Sequence, residues 1–168
     1  MAMNRVLEPF LAPLLRLAAR GHWLREHRPV RVARQFFGDE PLIPPQNNGN
    51  FCLTTSLDAD GELRMVLEMD GRGVQYSLGP YPEIQEFATM LHYLEPGRSW
   101  RGIHFQASAD PARPDRRARF QFRRHVDRVT LSFLQEEWEC MKDVFSTALE
   151  EPRVQPVLSA LSLDYGEL

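Results

Sequence analysis

Residues 113–149 read RPDRRARFQFRRHVDRVTLSFLQEEWECMKDVFSTAL, and this stretch carries the clearest structural pattern in the chain. Phe120 and Phe122 alternate with Arg and Gln, as in a strand that buries one face. After a turn near residues 125–128, Val129, Leu131 and Phe133 alternate with Thr and Ser in the same way. The two segments therefore predict an antiparallel strand pair.

The second half of this stretch predicts an amphipathic helix. Its apolar residues recur at helical spacing, and its first turns are rich in Glu, which complements the positive end of the helix dipole. The side chains expected in the core are Leu134, Trp138, Met141, Phe145 and either Ala148 or Leu149. Pro152 ends the pattern, and a short last helix with Val154, Val157, Leu158 and Leu161 follows.

The same order, strands and then a helix, is predicted earlier in the chain. Three short strands occupy residues 51–57, 63–69 and 74–78, with a turn at 58–61 in which Gly61 adopts positive φ. A helix with clean apolar spacing follows at 83–94. A further strand is expected over residues 100–107, with Ile103, Phe105 and Ala107 on one face.

These elements predict an α+β fold in a single domain. We expect an antiparallel sheet built from two three-stranded meanders, each followed by a helix packed on one face, with an N-terminal amphipathic helix and a short C-terminal helix. The predicted parts are an N-terminal helical arm (1–37), a Pro- and Asn-rich connector (38–50) and two sheet-plus-helix halves (51–96 and 97–168).

The arm begins with a broad apolar arc over residues 5–20 that includes Phe10, Leu14 and Leu17. Two interpretations stay open: the helix packs on the protein's own core, or it binds a partner or a second copy of the chain. Residues 22–36 fit either a strand or a helix.

Charge is distributed in blocks along the chain, whose formal net charge is −3. Residues 1–34 hold seven Arg and two Glu, and residues 35–100 hold three Arg and ten acidic residues. Residues 101–128 hold eight Arg and three Asp, whereas residues 129–168 hold two basic and eight acidic residues. A modest total therefore hides alternating basic and acidic segments.

No motif for catalysis or metal binding is apparent, so we expect no catalytic residues, no metal and no cofactor. The five His residues lack metal-ligand spacing, and Met69 stands where a calcium loop beginning at Asp58 would need its last carboxylate. The two Cys residues are far apart, which suits a reducing compartment. No membrane span or leader is predicted, and we expect a cytoplasmic protein.

The basic cluster of residues 113–128 has the sharpest functional interpretation. An Arg-rich strand face can follow phosphates, with Trp100 and His104 as nearby stacking surface, or it can meet acidic protein surface, including the protein's own acidic helices. The candidate binding residues in this cluster are Arg116, Arg117, Arg119, Gln121, Arg123, Arg124 and Arg128.

By element order alone, the chain resembles the small acidic chaperones of type III secretion, and its doubled pattern is similar to single-strand-binding domains of the Whirly or Pur type. It departs from the first family in its extra strand and final helix, and from the second in its acidic balance. We expect a non-catalytic protein-binding module, adaptor or chaperone-like, that binds another protein or a second copy. Single-stranded nucleic acid is the alternative partner.

Overall fold

The computed structural model describes residues 40–58, 60–69, 72 and 74–165. Within these residues the chain forms nine strands and three helices, arranged as two antiparallel sheets with the helices packed against them. The α+β class is confirmed, as are two meanders that are each followed by a helix, but they form two separate sheets and the second meander has four strands. Phe10, Leu14 and Leu17 lie outside the described residues, as does the whole predicted arm.

The first sheet (sheet 1) is centred on the pairing of β3 with β4, which is in register from Phe51 opposite Met69 to Leu57 opposite Leu63. β5 extends the sheet on the β4 side, and two short strands from the connector pair with β3 on its other side. The bounds are β1 (Glu40–Pro41), β2 (Gln46–Asn48), β3 (Phe51–Leu57), β4 (Leu63–Met69) and β5 (Val74–Leu78).

The turn between β3 and β4 is a hairpin turn built on Asp58. Its Oδ1 accepts hydrogen bonds from the backbone N–H of Asp60 at 2.8 Å and of Glu62 at 3.0 Å. Gly61 has a φ of 78°, which confirms its predicted positive value. The Asp58 carboxylate thus holds the turn's own backbone.

The second sheet (sheet 2) is an antiparallel meander in the order β6-β7-β8-β9. The predicted strand at 100–107 is two strands, because Gly102 donates its N–H to the Phe105 carbonyl at 2.9 Å and closes a tight turn. The prediction that Ile103 lies in the strand was therefore wrong: it sits in this turn with 77% of its surface exposed. The bounds are β6 (Ser99–Arg101), β7 (Phe105–Ala109), β8 (Arg119–Arg124) and β9 (Leu131–Leu134).

The helices are α1 (Tyr81–Tyr93), α2 (Gln135–Glu150) and α3 (Gln155–Tyr165). Pro82 lies in the first turn of α1, where its missing N–H costs no helical hydrogen bond. At the start of α2, Glu137 folds back and accepts a hydrogen bond from the Leu134 N–H at 2.7 Å.

One hydrophobic core lies between the inward faces of the two sheets and the helices. Phe122 of β8 connects its parts, since its ring lies 5.5 Å from that of Tyr76 in sheet 1, 5.2 Å from Phe87 in α1 and 6.1 Å from Trp138 in α2. The alternation predicted for β3, β4 and β8 is confirmed, because the apolar residues of these strands are buried.

Two core predictions near β9 were wrong. Leu134 is exposed because it ends β9 and caps α2, and Val129 is 67% exposed because β9 begins only at Leu131. In α2 the buried residues are Trp138, Met141, Val144, Phe145 and Ala148. No helix in the described part of the chain is both long and apolar enough to cross a membrane.

Candidate functional site

The candidate site begins on β8, whose alternation separates an apolar side from a basic one. Phe120 and Phe122 are buried against the core, whereas Arg119, Gln121 and Arg123 are exposed on the opposite face. This division is the one the sequence predicts. It places two Arg and one Gln side by side on an open sheet surface.

The register of sheet 2 extends this surface into two rows across the strands. The first row contains Arg101 of β6, Gln106 of β7 and Arg123 of β8. The second row contains Ser99, Ser108, Gln121 and Ser132. The two rows line a shallow concavity of about 390 Å³.

We name this surface the outer face of sheet 2, defined by the outward residues of β6 to β9. Two side-chain hydrogen bonds join members of this face: Gln121 donates to the Ser108 hydroxyl at 2.9 Å, and Arg123 donates to Gln106 Oε1 at 3.4 Å. The members of the outer face are Ser99, Arg101, Gln106, Ser108, Arg119, Gln121, Arg123, Ser132 and, beside Arg119, Leu134.

The outer face of sheet 2 is cationic and contains no acidic residue. Arg101, Arg119 and Arg123 are exposed, and within the described residues none of them lies in an ion pair. Asp110, the residue after β7, is already paired with Arg116 at 2.8 Å. Three guanidinium groups are therefore available to an anionic partner.

The remaining Arg of the predicted cluster are placed differently. Arg116 pairs with Asp110 in the loop before β8, and Arg117 pairs with Glu136 of α2 at 3.1 Å. These two contacts agree with the interpretation in which the cluster meets the protein's own acids. Arg128 is exposed in the turn before β9.

Arg124, also predicted to bind a partner, is partly buried and makes its contacts within the molecule. It donates to Glu83 at 2.8 Å, to Asp127 at 3.2 Å and to the Ser77 carbonyl at 3.1 Å. Its guanidinium also lies 4.7 Å from the ring centre of Tyr76. Arg124 therefore joins sheet 2 to α1 and β5, and three of its five N–H donors are used within the fold.

Tyr76 completes this network by donating its hydroxyl to Asp127 at 3.1 Å. Burial raises the pKa of Tyr76 above its usual range, and the nearby carboxylate of Asp127 adds to the effect, although Arg124 opposes it. The phenol therefore stays neutral and acts as a hydrogen-bond donor. Its role is to connect the two sheets.

A second polar contact, which sequence reasoning missed, fixes the β6–β7 turn to α1. The Glu86 carboxylate accepts the backbone N–H groups of His104 at 2.9 Å and Phe105 at 3.0 Å, and the His104 Nδ1–H at 2.8 Å. Burial by itself would raise the pKa of Glu86, but these donors outweigh it and lower the pKa below its usual value. One residue in the sequence reflects this contact. Position 102 is Gly, and any larger residue would collide with Glu86, because its Cβ would lie 1.9 Å from a Glu86 oxygen.

Trp100 and His104 were predicted as a possible stacking surface for bases, but both side chains contact Glu86. The Trp100 indole N–H points to Glu86 at 3.4 Å, and its ring packs edge-on against Tyr93 at 5.4 Å between centroids. The outward residues of sheet 2 include no aromatic side chain. The outer face of sheet 2 therefore provides charge and hydrogen bonds without a stacking platform.

In the part of the chain that the structure describes, no three His, Cys, Asp or Glu side chains are grouped so that they could hold a metal ion. No protein-family model, no curated protein and no solved structure matches the chain. The geometry of the molecule is therefore the basis for a functional hypothesis.

Proposed function

We propose that the protein is a non-catalytic protein-binding module, adaptor or chaperone-like, whose outer face of sheet 2 binds an acidic segment of another protein. One observation carries the proposal: Arg101, Arg119 and Arg123 are exposed on an acid-free sheet face and have no ion-pair partner among the described residues. An acidic segment would supply the missing carboxylates.

The chemistry of this face suits carboxylates. A guanidinium group presents a planar set of donors that matches a carboxylate in two parallel hydrogen bonds, which a lysine ammonium does not reproduce. Gln106 and Gln121 stand between the Arg residues and offer both donors and acceptors to a peptide backbone. Charge complementarity of this kind mainly raises the association rate and selects the partner.

Single-stranded nucleic acid is less well supported as the partner. Proteins that bind single strands combine a basic groove with aromatic side chains on which bases stack. Here Phe120 and Phe122 point into the core, and Trp100 is held by Glu86 and Tyr93. The outer face of sheet 2 could therefore contact a single strand only at its phosphates. The formal net charge of the protein, −3, opposes such binding.

The predicted amphipathic helix at residues 5–20, with Phe10, Leu14 and Leu17, is the second part of the proposed binding apparatus. Its residues lie outside those the structure describes, so its contribution stays a prediction. Deleting residues 1–21 should change the oligomeric state or the set of co-purifying proteins. An unchanged mass by light scattering together with unchanged co-purification would remove the helix from the proposal.

The outer face of sheet 2 can be tested with fluorescein-labelled poly-L-glutamate, measured by fluorescence anisotropy. The intact protein should bind it, and the R101Q/R119Q/R123Q variant should bind at least about tenfold more weakly, since exposed ion pairs contribute up to about 1 kcal/mol each. R98Q/R113Q/R153Q is the matched control, because it also removes three positive charges, from exposed Arg residues outside the outer face of sheet 2.

Two results would contradict the proposal. Equal affinity of the triple variant and the intact protein would show that the outer face of sheet 2 is not the binding surface. Tighter, steeply salt-dependent binding of single-stranded oligothymidine, lost in the triple variant, would assign the same face to nucleic acid.

A further inference from the structure

The three Arg residues of the outer face of sheet 2 have a fixed spacing. Arg119 and Arg123 are four residues apart on β8, which places their Cα atoms about 13 Å apart along the strand. Arg101 and Arg123 share a row with one strand between them, so their Cα atoms are about 10 Å apart across the sheet. The charges therefore mark the corners of a triangle.

Neutral polar residues occupy the space between the charges. Gln121 lies midway between Arg119 and Arg123 and is hydrogen-bonded to Ser108 at 2.9 Å. Gln106 separates Arg101 from Arg123 and accepts a hydrogen bond from the latter at 3.4 Å. The face thus alternates charged and neutral positions.

We infer that this face recognises an extended segment with two carboxylates four residues apart and an uncharged polar residue midway between them. An extended chain rises by the same distance per residue as β8, and every second side chain points to the same side. The acidic side chains at positions one and five would therefore reach Arg119 and Arg123 together. In a helix, side chains four residues apart are only about 6 Å apart and would not span the pair.

This inference rests on the proposed function, because it specifies the acidic partner of the same face. It also separates sequence recognition from general charge attraction. A surface that only attracts negative charge would bind two carboxylates equally well at any separation along the peptide. Two Arg residues on one strand instead favour carboxylates an even number of residues apart, because only those point to the same side of an extended chain.

The test uses blocked, fluorescein-labelled peptides of identical composition, with two Glu in a Ser–Thr background. One peptide carries the two Glu four residues apart, one three residues apart and one side by side. We expect the first to bind about fivefold more tightly than the other two, since it gains one further exposed ion pair. R119Q should remove this preference, and R153Q should keep it.

The outcomes are distinguishable from those of the polyglutamate experiment. Equal affinity for the three peptides, with binding still weakened in R101Q/R119Q/R123Q, would overturn the spacing inference and leave the proposed function standing. A preference for the four-residue spacing that survives in R119Q would also overturn it. Absence of binding by every peptide and by poly-L-glutamate would overturn both.

Discussion

The outer faces of the two sheets differ in whether their charged side chains have partners within the fold. On sheet 1, Arg64 pairs with Asp58 at 3.0 Å, and Glu68 accepts a hydrogen bond from Gln75 of the neighbouring strand at 3.0 Å. On sheet 2, Arg101, Arg119 and Arg123 have no carboxylate partner within the described residues. The charged side chains of sheet 1 thus have polar partners nearby, whereas those on the outer face of sheet 2 have no carboxylate partner in the part of the chain that the structure describes.

The inward faces do not explain this difference. In both sheets alternate residues are buried in the shared core, so the packing that fixes the strands is of the same kind on each side. Outward residues contribute little to folding when they are exposed and unpaired. The three Arg residues of sheet 2 that lack an ion pair among the described residues are therefore not needed for stability, and the proposed function gives them a role.

The largest expected effect separates the two faces of β8. Phe122 is 1% exposed and contacts rings from sheet 1, α1 and α2. F122A should lower the free energy of unfolding by about 4 kcal/mol, because the cavity cannot be filled by its neighbours. R123A should change it by less than about 0.5 kcal/mol. Urea unfolding followed by circular dichroism measures both, and similar losses would contradict the division of β8 into a core face and a binding face.

The second expectation distinguishes two adjacent Arg residues. R124A leaves the Glu83 carboxylate, which is 5% exposed, without its guanidinium partner. Stability should fall by about 2 kcal/mol, less than for a fully buried ion pair, because Glu83 is buried but the Arg124 side chain is 23% exposed. Polyglutamate binding by the folded fraction should be unchanged. If R124A lost as much affinity for poly-L-glutamate as R123Q does, Arg124 would belong to the surface that binds the partner.

The third expectation concerns the Glu86 contact and pH. The pKa of Glu86 is lowered in the folded protein, so the unfolded state takes up its proton first as pH falls. The resulting stabilisation is fully present above the ordinary Glu pKa and is lost as pH falls through the lower, folded value. E86Q should cost roughly 2 kcal/mol near neutral pH.

The difference in stability between E86Q and the intact protein should shrink as the pH is lowered below the ordinary Glu pKa. Urea unfolding over a series of pH values checks this. If this stability difference stayed constant or grew as the pH fell, Glu86 would not be an ionised carboxylate stabilised by these hydrogen bonds. E68Q is a suitable control, since Glu68 is exposed and on sheet 1.

The smallest expected effect compares the two outer faces directly. R64Q removes the partner of Asp58 and should cost less than about 1 kcal/mol, because Arg64 is partly exposed. Its affinity for poly-L-glutamate should equal that of the intact protein, whereas R123Q should bind more weakly. Equal losses in the two variants, measured by anisotropy at the same ionic strength, would mean that the sheets do not differ in binding.

Much of the fold could be predicted because the patterns that encode it are local. The period-two alternation of Phe51 to Leu57 and of Phe120 to Phe122 identifies buried strand faces without reference to the rest of the chain. The errors fall at element ends: Ile103 lies in the turn between β6 and β7, Val129 precedes β9, and Leu134 ends β9 just before α2. Whether such a residue is buried depends on where the neighbouring element begins, which the apolar pattern does not specify.

The candidate site was predicted only in part. The outward positions of Arg119, Gln121 and Arg123 follow from the alternation of β8. The same alternation puts Arg124 on the side of the two Phe residues, but the prediction grouped Arg124 with its basic neighbours as a binding residue. Glu83, which binds Arg124, lies 41 residues from it along the chain, and His104, which binds Glu86, lies 18 residues from it. No local pattern predicts contacts at that separation.

The central claim is that the outer face of sheet 2, and not that of sheet 1, binds acidic protein segments. A titration of the isotopically labelled protein with poly-L-glutamate, followed by amide and Arg side-chain NMR signals, tests it most directly. We expect saturable shifts at Arg101, Gln106, Arg119, Gln121 and Arg123, with the signals of β4 unchanged. Shifts centred on β4, or an absence of shifts in β6 to β8, would contradict the account.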